Sequence, residues 1–432
     1  MGDGTQLARY PQMRLRLPRR LSLLATLSTF AVASVMVACS GGSNDSVHGS
    51  ADDIVNVPQS SLKSQSISNC WLYATMGWAE SLHAATGEPE LNISESYLSY
   101  WHWFDQLIWD GMPGKDAIVQ EGFFSEGMDL MHRFGIMTEA DFIPGEATSQ
   151  SSRRQSSAMG KLNRSMKEGA LKTPEARMDR ALVRRELNAA WELSPEVVAT
   201  MNAVFGEGYD RSLEQAGTVL PAGSPIRSAS SIKVMASASG DAAPRRSTLA
   251  DVIGAPDPNQ WGHRTGALAW SEWNYPKTPS EQRAFQIRIQ RALHARQPVV
   301  ISWFIDFASM NGTGEFRAPP ARPGRQGGHV TVLEDYQVND VPGFGTLKAG
   351  VAEVRPEALT AALDPGAKVE FFRTKNSWGS SSGPAPEFNG YLDLYSAYLN
   401  GPVKKCETDP GAAEPTCVDE VPLWRAGLPA GF

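Results

Sequence analysis

Cysteine and histidine are scarce in this chain: its 432 residues include four Cys and seven His. So few cysteines exclude a small scaffold held together mainly by disulfides. The histidines show no His-Glu-x-x-His spacing and no glycine-rich phosphate loop is present, so the common sequence marks of a metal-dependent hydrolase and of a nucleotide site are missing. Only one long apolar run occurs, near the N-terminus, and no second membrane segment is visible. Positive charge is not in excess either. The formal net charge is −7, and residues 1–38 hold five Arg against one Asp, so the remainder is more acidic still and nucleic acid is disfavoured as the main partner. No internal repeat is seen. What is present is a hydrophobic content of 41%, enough for one large or two modest domains, and 39 Gly with 29 Pro, which call for many loops.

The N-terminus reads as an export signal. Arg14, Arg16, Arg19 and Arg20 form a basic region, Leu21 to Val37 an apolar one, and small residues lead to Cys39. Met36-Val37-Ala38-Cys39-Ser40 resembles a bacterial lipobox, in which the Cys is lipidated and becomes the first mature residue; Met36 stands where Leu is usual. A simple cleaved signal and an uncleaved anchor are the alternatives, the apolar run being at the short edge for a membrane span. The expectation is a signal peptide over 1–38, then a lipidated Cys39 and a flexible tether over 39–56, with the protein in the bacterial cell envelope and held to the membrane by its lipid.

That compartment is oxidising, so thiols tend to pair. Cys406 and Cys417 are close in sequence, with Pro410, Gly411 and Pro415 between them, and a small disulfide loop is the natural pairing. Cys39 is then left for lipid and Cys70 as a lone free thiol.

Along the chain, residues 57–145 look compact and aromatic-rich, and residues 146–260 change character to Ser-, Arg- and Ala-rich text. Two helices are legible there. Thr173-Pro174-Glu175 and Ser194-Pro195-Glu196 each offer an N-cap followed by Pro at the first helical position, and the second helix should stop at Gly206 or Gly208. Residues 217–247 read as a loop or mobile flap. From 261 to 400 the chain is again compact and strand-rich, and 401–432 form a C-terminal extension.

Cys70 precedes text of helical period, with Trp71, Ala74, Trp78, Ala79 and Leu82 on one face and Gly87 as a terminator. It therefore lies in the first turn of a buried helix, where unpaired N–H groups and the helix dipole favour a thiolate. A buried structural Cys is the plain alternative. Among the histidines, His329 stands out: Gly327-Gly328 precede it and Val330-Thr331-Val332-Leu333 follow, a strand entered from a glycine turn. His102, among Trp101, Trp103 and Phe104, reads as a core residue, and His83 and His132 lie in helical text. Phe371 to Gly379 reads as a strand running into a turn, where Asn376 can accept the imidazole N–H and Trp378 can shield that bond; a turn Asn is ordinarily only turn chemistry. Gly379-Ser380-Ser381-Ser382-Gly383 matches the Gly-x-Ser-x-Gly pattern of serine hydrolases, but Pro384 and Pro386 prevent the helix that pattern needs.

Taken together, Gln65…Cys70-Trp71, Gly328-His329-Val330-Thr331-Val332 and Lys375-Asn376-Ser377-Trp378-Gly379 resemble the papain-like cysteine peptidases, the clan of the cathepsins and bleomycin hydrolase-like enzymes, in content and in order. Leu91 to Leu98, Glu121-Gly122-Phe123-Phe124, Gln297-Pro298-Val299-Val300-Ile301 and Gly390 to Leu394 resemble further family segments, so the likeness covers roughly 57–145 and 261–400. The resemblance implies an α+β, two-lobed papain-like fold: a helical catalytic lobe led by the Cys70 helix over 57–145, and an antiparallel barrel-like sheet lobe over 261–400. It implies Cys70 as nucleophile, His329 as base, Asn376 as orienting group and Gln65 as an oxyanion donor. It also implies substrate contacts from Gly122, Trp71, Trp378 and Val299, a peptide or protein substrate, and neither cofactor nor metal. The same scaffold supports transamidation or deamidation, and a catalytically decayed binding lipoprotein is the non-enzymatic alternative. The chain departs from the family in four places. The loop from Gln65 to Cys70 is one residue short, Ser68 and Phe123 stand at usual glycines, and a second Trp-Gly is replaced by Ser380-Ser381-Ser382-Gly383. Residues 146–260 then form an insertion between the two halves, a lid or partner element.

Overall fold

The computed structural model describes residues 53–109, 111–213, 223–240, 243–380, 389–407 and 415–432. The expected export signal, Cys39, nearly all of the expected tether and Ser381 lie outside the described residues. The fold mixes helices and strands around two hydrophobic cores. No helix of the described residues is long and apolar enough to cross a membrane.

The first core is built on α1 (Cys70–Ala84), rich in Ala, Leu, Met and Trp and buried on every face from Cys70 to His83. It is thus a central helix rather than one with a single buried stripe, and it ends three residues before Gly87, whose φ of +74° lies in the turn that follows. Helix α2 (Glu95–Ile108) starts at Ser94, whose hydroxyl accepts from the Tyr97 N–H, and α3 (Phe124–Phe134) stops at Gly135, at φ +68°. The two helices are joined by flat stacking of Trp101 on Phe134, with centroids 4.3 Å apart.

Three more long helices follow: α4 (Arg153–Glu168), α5 (Arg180–Ala190) and α6 (Pro195–Phe205). The turn Pro174–Met178 capped by Thr173, and α6 with its Ser194 cap and its stop at Gly206, φ +78°, are the two helices legible in the sequence. Helix α4 is not legible there. Its text is polar and it has no capping bond, yet Ala158, Leu162 and Met166, spaced four apart, are buried. These side chains join Leu187, Trp191, Met201 and Phe205 in the same core as Trp71 and Trp101, so the described part of 146–260 is built into that core. The reading of 217–247 as a loop or flap is corrected: Lys233–Ala236 and Arg245–Thr248 pair as an antiparallel ladder, because Val234 and Ala236 alternate into the core.

The second core lies on one sheet of eight strands. In chain order its main strands are β1 (Trp270–Asn274), β2 (Val299–Asp306), β3 (Glu315–Phe316), β4 (Gln326–Val341), β5 (Lys368–Lys375), β6 (Tyr391–Tyr395) and β7 (Leu423–Pro429). They run in space as β1-β7-β2-β4-β5-β6-β3, and the short strand Gly345–Leu347 pairs with β4. All pairings are antiparallel except β6 with β3. The path is open at β1 and β3, where a barrel-like sheet was expected. Helix α7 (Pro279–His294) packs Phe285, Ile289 and Leu293 into this core. The segment 401–432 is not a mere extension: β7 pairs with both β1 and β2, with Ala426 opposite Trp273 on one side and Ile301 on the other. Before it, Val403–Glu407 and Thr416–Glu420 form a hairpin in which Cys406 and Cys417 are opposite each other and disulfide-bonded.

Candidate active site

Cys70 is the first residue of α1 and the one free cysteine among the described residues. Its thiol is buried. Burial pushes it up to about 11, while hydrogen bonds from the backbone N–H groups of Val330, Trp71 and Cys70 itself pull the other way and lose. The expectation that the helix start yields a standing thiolate is therefore corrected: desolvation outweighs the N–H groups there. The Val330 N–H matters for placement, because its nearness puts the thiol against the residue that follows His329.

His329 is the fourth residue of β4 and lies opposite Trp303 of β2. The two glycines before it are not a turn. Gly327 and Gly328 are strand residues facing Ile305 and Phe304, and a Cβ on Gly328 would come within 3.2 Å of the Trp424 ring. The His329 Nε2 is 2.8 Å from Asn376 Oδ1. An amide oxygen only accepts, so Nε2 carries the proton and the neutral ring presents Nδ1 as a free base. The Trp378 ring stacks on the imidazole, with centroids 4.8 Å apart at 21°, and Trp303 meets it at 5.6 Å. Burial lowers His329 to about 4, against the opposing Asn376 hydrogen bond. Between those limits both thiol and imidazole are neutral.

Asn376 directly follows β5, whose last residue Lys375 pairs with Val332 of β4, and its N–H donates to the Gly390 carbonyl at 2.9 Å. Lys375 anchors the same turn from below, its Nζ donating to the Ser60 carbonyl and hydroxyl, both at 2.7 Å. Beside it, Lys63 Nζ bonds Glu80 and Glu95 at 2.9 Å each. Burial alone would lower Lys63, but Glu80, Glu95 and Glu139 outweigh it and hold the ammonium above its ordinary range. Sequence reasoning missed this buried ionic base, since Lys63, Glu80 and Lys375 have no motif that links them.

Gln65 is half-buried. Its Oε1 accepts from the Ser377 hydroxyl, and its Nε2 donates to the Ile67 carbonyl at 2.7 Å, which leaves one amide hydrogen uncommitted. Of the expected substrate contacts, Gly122 is half-buried beside Trp71, whose indole would be 2.5 Å from a Cβ at that position, so only glycine fits. Trp71 itself is buried and donates to the Gln120 carbonyl at 2.9 Å; it supports the 120–122 segment from beneath instead of facing substrate. Trp378 covers His329. Val299 is corrected outright: it is fully buried in the second core, paired with Leu333, four residues along β4 from His329. His102 is buried, its ring 4.9 Å from Trp71 and its Nε2 bonded to Gln106, as a core residue.

No family model matches the chain, and no curated protein matches it. Among solved structures it is similar to xylellain, a cysteine protease from Xylella fastidiosa, at 10% identity over 88% of this chain and 86% of that one, with a TM-score of 0.38. It is also similar to the bromelain protease from Ananas comosus, at 10% identity over 87% and 94% of the two chains, TM-score 0.32. A third is the Amb a 11 cysteine protease of ragweed pollen in its proform, at 13% identity over 90% of this chain and 69% of that one, TM-score 0.30.

Proposed function

We propose that this chain is a papain-like cysteine peptidase that hydrolyses peptide bonds in peptides or proteins, exported and anchored through a lipid on Cys39. The observation that carries the reading is the meeting of three segments remote in sequence. The Cys70 thiol lies against the backbone of Val330, the residue next to His329, and the His329 ring is held by Asn376. In the mechanism, Cys70 Sγ attacks the peptide carbonyl carbon as His329 Nδ1 takes the thiol proton. Because both groups rest neutral, the proton moves with the attack. The carbonyl oxygen becomes an oxyanion that accepts from the Cys70 N–H and the uncommitted amide hydrogen of Gln65. The tetrahedral carbon then collapses, the C–N bond breaks, and His329 returns the proton to the leaving amine. Water attacks the acyl-enzyme with His329 as base again, releasing the acid and restoring the thiol. Asn376 keeps Nε2 protonated and the ring aligned, and Trp378 covers that bond.

The test is cleavage of a peptide library by residues 40–432, with products read by mass spectrometry and Cys70 probed by an epoxide-type thiol reagent. Hydrolysis products and a covalent label on Cys70 are expected. Products carrying an added amine would reassign the reaction to transamidation, and a folded protein that neither cleaves nor labels would overturn the reading.

A further inference from the structure

Residues 150–155, read in the sequence as the start of an insertion, lie along the loop that leads into the nucleophile. The Ser64 N–H donates to the Gln150 carbonyl at 2.9 Å, and the Ser152 N–H donates back to the Ser64 carbonyl at 3.3 Å. The Ser66 hydroxyl donates to the Ser152 carbonyl at 2.7 Å. At the end of the loop, Asn69 Nδ2 donates to Gln155 Oε1 at 2.9 Å. Asn69 precedes Cys70 directly, and its side chain makes no capping bond to α1. Gln155 is fully buried, and its Nε2 donates to the Ser96 hydroxyl at 3.1 Å, so its amide is fixed from both sides. The opposite edge of the loop is tied to the Asn376 turn: the Gln65 N–H donates to the Ser377 carbonyl at 2.9 Å. The loop carrying both oxyanion donors is thus strung between the 150–155 segment and the turn that orients His329.

We infer that Ser152 and Gln155 are positioning residues for this reaction, holding the Gln65–Cys70 loop so that its donors meet the developing oxyanion. The inference rests on the peptidase reading. Its physical ground is the steepness of such geometry: a displacement of about 1 Å can cost about 10² in rate. Within the loop the Asn69 N–H and Gln65 Nε2 both donate to the Ile67 carbonyl, at 2.9 and 2.7 Å, and on a third side the Ser68 N–H donates to Gln120 Oε1 at 2.7 Å. The ties to 150–155 are the most numerous of those from outside, and these residues act as a structural wall of the site, which is a role different from that of a lid.

The experiment compares wild type with Gln155→Met, which keeps side-chain length and removes the amide, and with the milder Ser66→Ala. Three quantities are read: kcat and KM on one peptide, affinity for a peptide aldehyde, and the rate of Cys70 alkylation by iodoacetamide. The aldehyde forms a tetrahedral hemithioacetal that needs the oxyanion donors; alkylation does not. Gln155→Met should lower kcat by roughly 10- to 100-fold and weaken the aldehyde by a similar factor, with KM and alkylation changed by less than about threefold. Ser66→Ala should show the same pattern in smaller measure. A folded Gln155→Met with wild-type kcat and aldehyde affinity would overturn the inference, as would alkylation that falls in step with kcat. Should Gln155→Met not fold, Ser66→Ala decides, and unchanged aldehyde affinity in it overturns the inference. A wild type that neither cleaves peptides nor binds aldehydes sinks the peptidase reading and this inference with it; an active wild type with insensitive variants sinks this inference alone.

Discussion

At the scale of residues, one cause acts on both groups of the proposed reaction: burial lifts the Cys70 thiol to about 11 and lowers His329 to about 4. In the proposed reaction His329 can act as a base only while neutral. The neutral form prevails above about pH 4 and is lost as pH falls through that value. Measured kcat/KM should accordingly be level from about pH 5 to 7 and decline about tenfold per unit well below 4. A half-point near 6.5, the ordinary histidine value, would show that the ring is not desolvated as described. The three groups should also differ in mutational cost. His329→Ala should be nearly as damaging as Cys70→Ala, because it removes proton transfer in both directions. Asn376→Ala should keep roughly 1–10% of activity, and Cys70→Ala/His329→Ala should be little worse than either single variant. Kinetics on one peptide, with circular dichroism to confirm folding, checks this. A folded His329→Ala that kept most of its activity would point to another base. The meeting of His329 with Asn376 is legible in the sequence because each sits in a short motif with its own local logic. The thiol's ionisation is not legible, because it depends on the packing of α1 against β4, which no local pattern encodes.

At the scale of elements, the close approach of α1 and α3 sets a sharp steric condition. A Cβ on Gly127 of α3 would lie 2.8 Å from Thr75 Oγ1, and Thr75 is fully buried on α1. Gly127→Ala should destabilise by about 1–3 kcal/mol, since two packed helices must separate. Gly77, in the middle of α1, is the contrast. Its Cβ would meet Val332 at an ordinary 3.7 Å, so Gly77→Ala should be neutral or gain up to about 1 kcal/mol from helix propensity. Denaturant unfolding of both variants tests the pair, and equal effects would contradict the described helix contact. The hairpin carrying Cys406–Cys417 docks on β4 through Gln326, which accepts from the Cys406 N–H at 2.9 Å and donates to the Lys404 carbonyl at 2.6 Å. Replacing both cysteines by Ser should cost at most about 3 kcal/mol, from the loop entropy regained on unfolding, and leave kcat/KM within a few-fold. Elements with caps, such as α6, can be read directly from the chain. Helix α4 and the strands at 233–236 and 245–248 cannot, since they sit in Ser-, Arg- and Ala-rich text with the composition of loops and only tertiary burial of a few apolar positions makes them regular.

At the scale of the molecule, residues 146–260 and 401–432 are the parts whose place the sequence conceals. In the sequence 146–260 reads as an interruption between Cys70 and His329, yet its helices complete the first core and its leading edge hydrogen-bonds to the loop before Cys70. In the same way β7 returns from the end of the chain to lie between β1 and β2, a non-local pairing that no short motif announces. The proposed export and anchoring belong to this scale too. Growth with labelled palmitate should tag the protein, Cys39→Ser should remove the tag, and an untagged protein found wholly in the soluble fraction would contradict the anchor.

The central claim is that Cys70 forms the acyl bond to the substrate. It is tested most directly by rapid acid quench of the protein with an activated peptide ester, followed by mass spectrometry of the digested chain. The account predicts an acyl group on the peptide that holds Cys70, formed by wild type and absent from a folded Cys70→Ala variant that also shows no turnover. Wild-type turnover by that variant, or an acyl group on any other residue, would contradict it.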